Sequence, residues 1–234
     1  MPDTLTTALT NVRSLIDEPV AQYWSDAEIT FWLNQGCQEV QRQAEWKRAI
    51  NTSVTTVVGQ QAYVAPSDLL RLYRLEFVPN ANTSYTYSLE FRGYNEMDAA
   101  WGNLKTLPSA YPEQYTLWKF PTDKTPGTLG LQILLYPVPN NVGTLNMYYY
   151  QAITPVASGA DTLDILPGWE DMIYNFAAYR ALRKDANPMA KDFRDEFANQ
   201  IEQLKSISRT YTDQANWFST GAQNYNPLFL DLEV

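Results

Sequence analysis

The chain has 234 residues, 45% of them hydrophobic and 18% charged, with a formal net charge of −9, so it can build a sizeable core in one large or two small domains. It contains no histidine and a single cysteine, Cys37, which excludes Ser-His-Asp and Cys-His hydrolase arrangements, Cys/His metal clusters and an internal disulfide framework. A phosphate-gripping protein needs clustered Lys and Arg, yet cuts after Arg48 and after Ile165 leave pieces with 4, 6 and 7 basic residues against 7, 9 and 10 acidic ones, which argues against tight DNA binding.

The N-terminus shows no basic segment followed by an apolar one, and no run of 18 apolar residues occurs, so neither a signal peptide nor a membrane span is expected. Leu5, Leu9, Val12 and Ile16 have helical spacing, and Pro19 closes that segment. Ser25, Asp26, Ala27 and Glu28 form a capping box that opens a helix of about five turns. On it Ile29, Leu33, Gly36 and Val40 share one face with Trp32 and Cys37 alongside, while Asn34, Gln38, Gln41 and Arg42 are expected to point away. Gly36 would admit another helix closely.

From Thr52 to Thr154 the residues are rich in Thr, Val, Tyr and Phe, with turn signals at Gly59, Pro66, Pro79, Pro126 with Gly127, and Asn140 with Asn141, which predicts an antiparallel sheet of hairpins. Tyr73, Leu75 and Phe77 alternate with Arg74 and Glu76, the pattern of one buried and one wet face. Leu131 to Tyr136 is expected to pair with Leu145 to Gln151, whose three consecutive tyrosines must face alternate sides. The stretch from Tyr94 to Tyr111 is read as a short helix and a loop. At Leu166 to Trp169 a further helix begins, with Pro167 in its first turn and Glu170 and Asp171 complementing its dipole. Asn187 and Pro188 separate it from a second helix carrying the stripe Phe193, Phe197, Ile201 and Leu204. After Trp217 the helical period stops.

No Gly-rich phosphate loop is present, and the carboxylates Glu76, Glu90, Asp161 and Asp164 are read as solvated, with Asp161 and Thr162 making turn hydrogen bonds. No catalytic, cofactor-binding or metal-ligating set emerges. Arg180, Arg183 and Lys184 share a helical face near a C-terminus, where they suit the helix dipole or contact a partner or DNA. Tyr225, Pro227, Leu228, Phe229, Leu230 and Leu232 lie on the chain's last stretch, where the leucines recur at period 2. That pattern fits strand addition to a portal or neighbouring subunit, or packing on the chain's own helices.

Several phrases occur in an order that resembles the head-to-tail connector proteins of tailed phages, the adaptor or tail-tubular-A-like group. Ser25-Asp26-Ala27-Glu28-Ile29 with Trp32, Leu33 and Asn34 is similar to their opening "D-x-E-I, then L-N" helix. Gly59-Gln60-Gln61-Ala62-Tyr63 followed by Pro66 to Leu72 resembles a "G-Q-x-x-Y, P-x-D-L-L-R-L" hairpin. Leu135 to Pro139 matches a strand ending in P-x-P, Tyr148 to Tyr150 the tyrosine strand after it, and Leu166-Pro167 with Trp169-Glu170-Asp171 a "L-P, then W-E-D" helix start.

The resemblance spans about Ser25 to Leu204 and implies an α+β fold in which N- and C-terminal helices form one helical bundle with an inserted antiparallel β-rich lobe. The expected domains are 1–50, 51–165, 166–218 and an extended arm over 219–234. The implied role is that of a non-enzymatic adaptor without cofactor, assembled in the host cytoplasm and located in the neck or tail of the virion. Such proteins form a ring of about twelve copies that joins portal to tail nozzle and lets double-stranded DNA pass without specific binding, and their C-terminal segment reaches the portal. Two other readings stay open from the residues alone: a β-rich carbohydrate-binding tail or capsid-decoration module, and a two-carboxylate glycosidase.

Overall fold

The computed structural model describes residues 2–81, 83–101, 109–121 and 129–219. The chain divides into two compact units, Met1–Trp46 with Ile153–Val234, and Lys47–Ala152.

In the first unit, α1 (Leu5–Leu15) starts at Thr4, whose hydroxyl accepts the Thr7 amide at 3.3 Å. The helix α2 (Asp26–Ala44) starts with the expected capping box, Ser25 and Glu28 each satisfying a backbone amide of the other. The remaining helices are α4 (Glu170–Lys184) and α5 (Ala190–Ser219), the latter about 45 Å long at 1.5 Å per residue. Pro167 lies before α4 rather than in its first turn, because Gly168 turns the chain with φ +86° and Glu170 is the first helical residue.

Leu5, Val12, Ile29, Leu33, Val40, Met172, Ile173, Ala177, Phe197, Ile201 and Leu204 meet in one apolar core, so α1, α2, α4 and α5 bury their stripes together. A Cβ on Gly36 would stand 3.1 Å from Phe176 Cδ1 and 3.2 Å from Ile173 Cγ2, which confirms the close approach expected there. Two of the α2 residues expected to face away are held inward instead. Gln41 is buried, and Asn34 bridges both backbone groups of Val156, donating to its carbonyl and accepting its amide at 2.9 Å each. A local helical period cannot anticipate a loop that packs over the polar side 122 residues later.

The first unit also holds a buried cation. Arg13 donates to Asp26 at 2.6 Å and to the Trp24 carbonyl at 2.8 Å, and Glu18 lies across from it at 3.7 Å. Glu18 in turn accepts the amides of Gln22, Tyr23 and Trp24. Burial pushes the Glu18 carboxyl up, but those amides and the guanidinium outweigh it and hold it below its ordinary value.

The second unit is a seven-stranded sheet in the order β1-β9-β3-β4-β6-β7-β2. Its strands are β1 (Arg48–Thr55), β2 (Ala62–Val64), β3 (Leu69–Pro79), β4 (Tyr87–Phe91), β6 (Gln114–Pro121), β7 (Leu129–Tyr136) and β9 (Gly143–Gln151). A separate pair joins β5 (Ser109–Ala110) to β8 (Val138–Pro139), and α3 (Tyr94–Trp101) follows β4. The sheet is mostly antiparallel, with β4 and β6 running parallel.

The pairing expected between β7 and β9 does not occur. β7 lies between β6 and β2, and β9 lies between β1 and β3. Pro137 and Pro139 offer no amide hydrogen, and β8 pairs with β5, so the chain leaves the sheet after Tyr136 instead of turning back on itself. Tyr63, Leu72, Leu75, Phe77, Leu89, Tyr115, Ile133, Leu135, Leu145, Met147 and Tyr149 form the core of this unit.

The expected alternation along β3 holds from Arg74 to Phe77 and fails at Tyr73, for a specific reason. Register shifts between Leu69 and Arg71 and between Leu72 and Arg74 insert Leu70 and Tyr73 as extra residues opposite β9. Leu72, Leu75 and Phe77 therefore face the core, while Tyr73, at 42% exposure, turns to the other side with Arg71, Arg74 and Glu76.

At the head of β9 a Cβ on Gly143 would fall 2.3 Å from Phe77 Cε2 and 2.6 Å from the Val78 carbonyl oxygen, which leaves no room for a side chain. Gly143→Ala is expected to destabilise the protein by about 2–3 kcal/mol, read from the urea midpoint. A second outcome concerns acid. Because the folded Glu18 titrates below its usual 4.5, its stabilisation is present above that value and fades as pH falls through the lower folded value. Glu18→Gln should therefore be less stable at neutral pH and lose less stability than wild type between about pH 5 and pH 3, as followed by thermal melts.

Candidate interaction surfaces

On the side of the sheet opposite its core, strands β1, β9 and β3 present a set of arginines laid on tyrosines. Arg48 pairs across with Tyr150, Ile50 with Tyr148, and β3 brings Arg71 beside Tyr150 and Arg74 beside Tyr148. The Arg71 guanidinium carbon lies 4.8 Å from the Tyr150 ring centre, that of Arg74 lies 5.4 Å from Tyr148, and that of Arg48 lies 5.5 Å from Tyr150 and 5.9 Å from Tyr73. The Tyr73 ring stands 5.3 Å from Tyr150 and 6.3 Å from Tyr148. At such distances the guanidinium charge is attracted to the ring faces.

Glu76 anchors this face from within. It is 4% exposed, pairs with Arg74 and accepts the Tyr148 hydroxyl at 3.0 Å. Burial and the hydrogen bond to the Glu76 carboxylate both raise the Tyr148 phenol, and burial likewise raises that of Tyr73, so both rings stay neutral. Ile50 and Leu70, 61% and 55% exposed, add apolar surface on β1 and β3. The remaining tyrosine of the triplet, Tyr149, faces the core and donates to Asp68 at 3.1 Å, which also receives Gln151 Nε2 at 2.6 Å.

A second exposed area lies at the turn of the Gly-Gln-Gln-Ala-Tyr phrase. Gly59, with φ +79°, forms the turn. The Tyr63 hydroxyl accepts the Val57 amide at 3.0 Å and donates to the Gln60 carbonyl at 2.9 Å. Val57, Val58 and Val142 project from this end of the sheet with more than two fifths of their area exposed.

The three cations singled out on α4 are partly engaged within their own unit. Lys184 donates to Glu28 at 2.8 Å and lies 4.8 Å from the Trp24 ring centre, tying the end of α4 to the start of α2. Arg183 donates to the Tyr179 hydroxyl at 2.8 Å, and Arg180 lies 5.9 Å from the Phe176 ring centre. Glu28 is held below its ordinary value by Lys184 and then by Ser25. The arm residues Tyr225, Pro227, Leu228, Phe229, Leu230 and Leu232 lie outside the described residues.

The four carboxylates considered for chemistry each have a local role. Glu90 pairs with Arg92 at 3.0 Å, Asp161 accepts the Ala157 and Ser158 amides at 2.9 and 2.7 Å, and Asp164 accepts the Thr154 amide at 2.8 Å, while Glu76 is paired as described. The turn bonds expected of Asp161 are thus present, and the solvated reading of Glu76 is corrected: it lies on the side expected but is buried there, paired with Arg74 and accepting from Tyr148. Burial raises the lone thiol, Cys37, to about 12, which leaves it inert as a nucleophile. Among the described residues no group of three or more acidic or cysteine side chains could hold a metal, and no helix is long and apolar enough to cross a membrane.

Sequence reading missed the arginine–tyrosine face. Arg71 and Arg74 are three apart, a spacing that a regular strand would send to opposite sides, and only the intervening bulge brings them together.

Arginine on tyrosine, exposed β-branched and aliphatic side chains and a polar surround are the materials of protein contacts, and they place the chain among proteins that work through surfaces. A family model for the SU10 adaptor protein matches residues 3–223. The chain belongs to that family of phage head-to-tail adaptors, which are structural proteins. No curated protein matches the chain.

The inward carboxylate gives the site its test. Glu76→Gln leaves the half-covered Arg74 without its counter-charge and should cost about 1–2 kcal/mol in urea unfolding, discounted for the 35% exposure of the Arg74 side chain.

Proposed function

We propose that this protein is a subunit of the adaptor ring that joins the portal to the tail nozzle in the neck of the virion. The match to the SU10 adaptor family over residues 3–223 is the observation that carries this reading. About twelve copies stand side by side around a channel, assembled in the host cytoplasm, and double-stranded DNA passes through without being held. The acidic balance of the chain supports that last point, since a wall of net charge −9 per subunit does not grip phosphate.

The C-terminal arm, with Tyr225, Pro227, Leu228, Phe229, Leu230 and Leu232, is the segment we assign to the portal or to the neighbouring subunit. Arg180 and Arg183 on α4 are assigned to contact with a partner or passing DNA, with Lys184 contributing where its pair with Glu28 opens. Chromatography with light scattering should show a small species that becomes a large, defined oligomer when portal is added, and a particle that stays monomeric with portal present would overturn the ring. Removal of residues 220–234 should leave the melting temperature within about 2 °C of wild type while abolishing portal binding. Retained binding would remove the arm from the interface.

A further inference from the structure

The seven-stranded sheet ends in two edge strands, β1 and β2, and they are finished differently. β2 has three residues, and the Gln60 side chain donates to its Ala62 carbonyl at 2.8 Å, so that edge is short and partly capped. β1 has eight residues and no proline. A bulge between Asn51 and Val54, where Asn51 Oδ1 accepts the Ser53 amide at 2.9 Å, interrupts its second half. The first half stays regular. There the Gln151 amide of β9 donates to the Lys47 carbonyl at 3.0 Å, and alternate residues of an antiparallel strand bond the same neighbour. Ala49 and Asn51 therefore turn their backbone groups to β9, while Ile50 turns its amide and carbonyl to the open edge. Among the described residues no strand pairs with that side, and Ile50 is 61% exposed.

We propose that the C-terminal segment Pro227–Val234 of a second copy of this chain adds to the sheet as a further strand beside β1. This rests on the assignment of the arm to a partner made above, selects the neighbouring subunit and names the edge that receives it. Leu228, Leu230 and Leu232 recur at period 2 and alternate with Phe229, Asp231 and Glu233, so a strand of this sequence has one apolar side and one mixed side. Ala49 packs against the sheet core but is only half-buried, which leaves the rim of the core beside it for a leucine. On the other side of the sheet Ile50 gives Phe229 an apolar cross-strand neighbour. Residues 220–234 reach about 50 Å when extended, enough to cross to a second chain.

Packing of the arm on the chain's own helices is the competing arrangement, and charge opposes it. Residues 220–234 contain Asp231 and Glu233 and no Lys or Arg. Residues 47–152 carry eight Lys and Arg against seven Asp and Glu, a formal +1, whereas residues 1–46 with 153–219 carry nine against seventeen, a formal −8. The sheet unit therefore repels an acidic segment less than the helical unit does. Donor segment and acceptor edge are different regions of the chain, so the contact is head-to-tail and can repeat from subunit to subunit around a closed ring.

The test is amide hydrogen exchange at Ile50 in the full chain, followed by mass spectrometry across a range of protein concentrations. Exchange should slow as concentration rises, and removal of residues 220–234 should abolish the slowing. Slowing that does not depend on concentration would put the arm on its own sheet, and no slowing at all would leave the edge empty; either result overturns the proposal. If the edge amide exchanges freely in the full chain while removal of the arm abolishes portal binding, the arm belongs to the portal and the adaptor reading stands. A labelled peptide of residues 224–234, N-methylated at one amide at a time from Leu228 to Leu232, supplies a second measurement by fluorescence anisotropy against the full chain. Methyl groups at alternate positions should weaken binding by about tenfold and those between should not, because only alternate amides of a strand face its neighbour. Equal effects at every position would mean docking through side chains alone and would overturn strand addition. Ile50→Pro removes the edge amide while sparing the ladder to β9 and should weaken binding of the unmethylated peptide to the same degree. A variant that does not fold leaves the decision to the methylated peptides, which leave the protein unaltered.

Discussion

The pairing of β3 with β9 is the constraint on which the sheet unit depends. Nine residue pairs run from Leu69–Gln151 to Pro79–Gly143, and the two register shifts within them decide which side chains face the core. At one end, a glycine is required because Phe77 and the Val78 carbonyl occupy the space of a Cβ. At the other, Asp68 receives Tyr149 and Gln151 and its carbonyl accepts the Ala152 amide, so the strand end is tied by both side chain and backbone. Between these ends, the extra residues Leu70 and Tyr73 let β3 keep Leu72, Leu75 and Phe77 buried while three of its polar residues gather on one outer surface. A regular strand of the same sequence would split Arg71 and Arg74 between the faces.

In the helical unit the same economy appears in side-chain ties. Asp26 and Glu28 stand two residues apart at the start of α2, and each reaches a different helix: Asp26 meets Arg13 of α1 and Glu28 meets Lys184 of α4. Asn34, two turns further, holds Val156. The polar residues of the adaptor-like opening phrase are thus joints of the helical core, and their order along the chain reflects packing rather than chemistry performed on a ligand. The buried Arg13 is offset by the covered Glu18 and the largely exposed Asp26, and removing these carboxylates would leave its charge in an apolar surround.

These joints and the sheet surface together describe a protein whose specificity resides in where charge and aromatic area are exposed. Membership of the SU10 adaptor family accords with that arrangement. The charge is not spread evenly. Cuts after Arg48 and Ile165 give three pieces of −3 each, but the boundaries of the compact units, at Trp46 and Ala152, move Lys47 and Arg48 to the sheet and Asp161 and Asp164 to the helices. A short shift of boundary turns a uniform acidic chain into a nearly neutral sheet unit and a strongly acidic helical one.

Local patterns in the sequence determined a great deal. Ser25 and Glu28 cap α2 because both lie within one turn of it, Gly36 marks a close helix contact because its spacing matches the buried face, and of the stripe Phe193, Phe197, Ile201 and Leu204 the last three bury, Phe193 only in part. The missing histidine excludes whole reaction classes before any coordinates are needed. Tertiary structure decided what depends on distant segments: β9 pairing with β1 and β3 rather than β7, Gln41 and Asn34 turning inward, and Lys184 bonding to Glu28. It also decided the arginine–tyrosine face, because a bulge is defined by two residues opposing one, and that count exists only when both strands are in place.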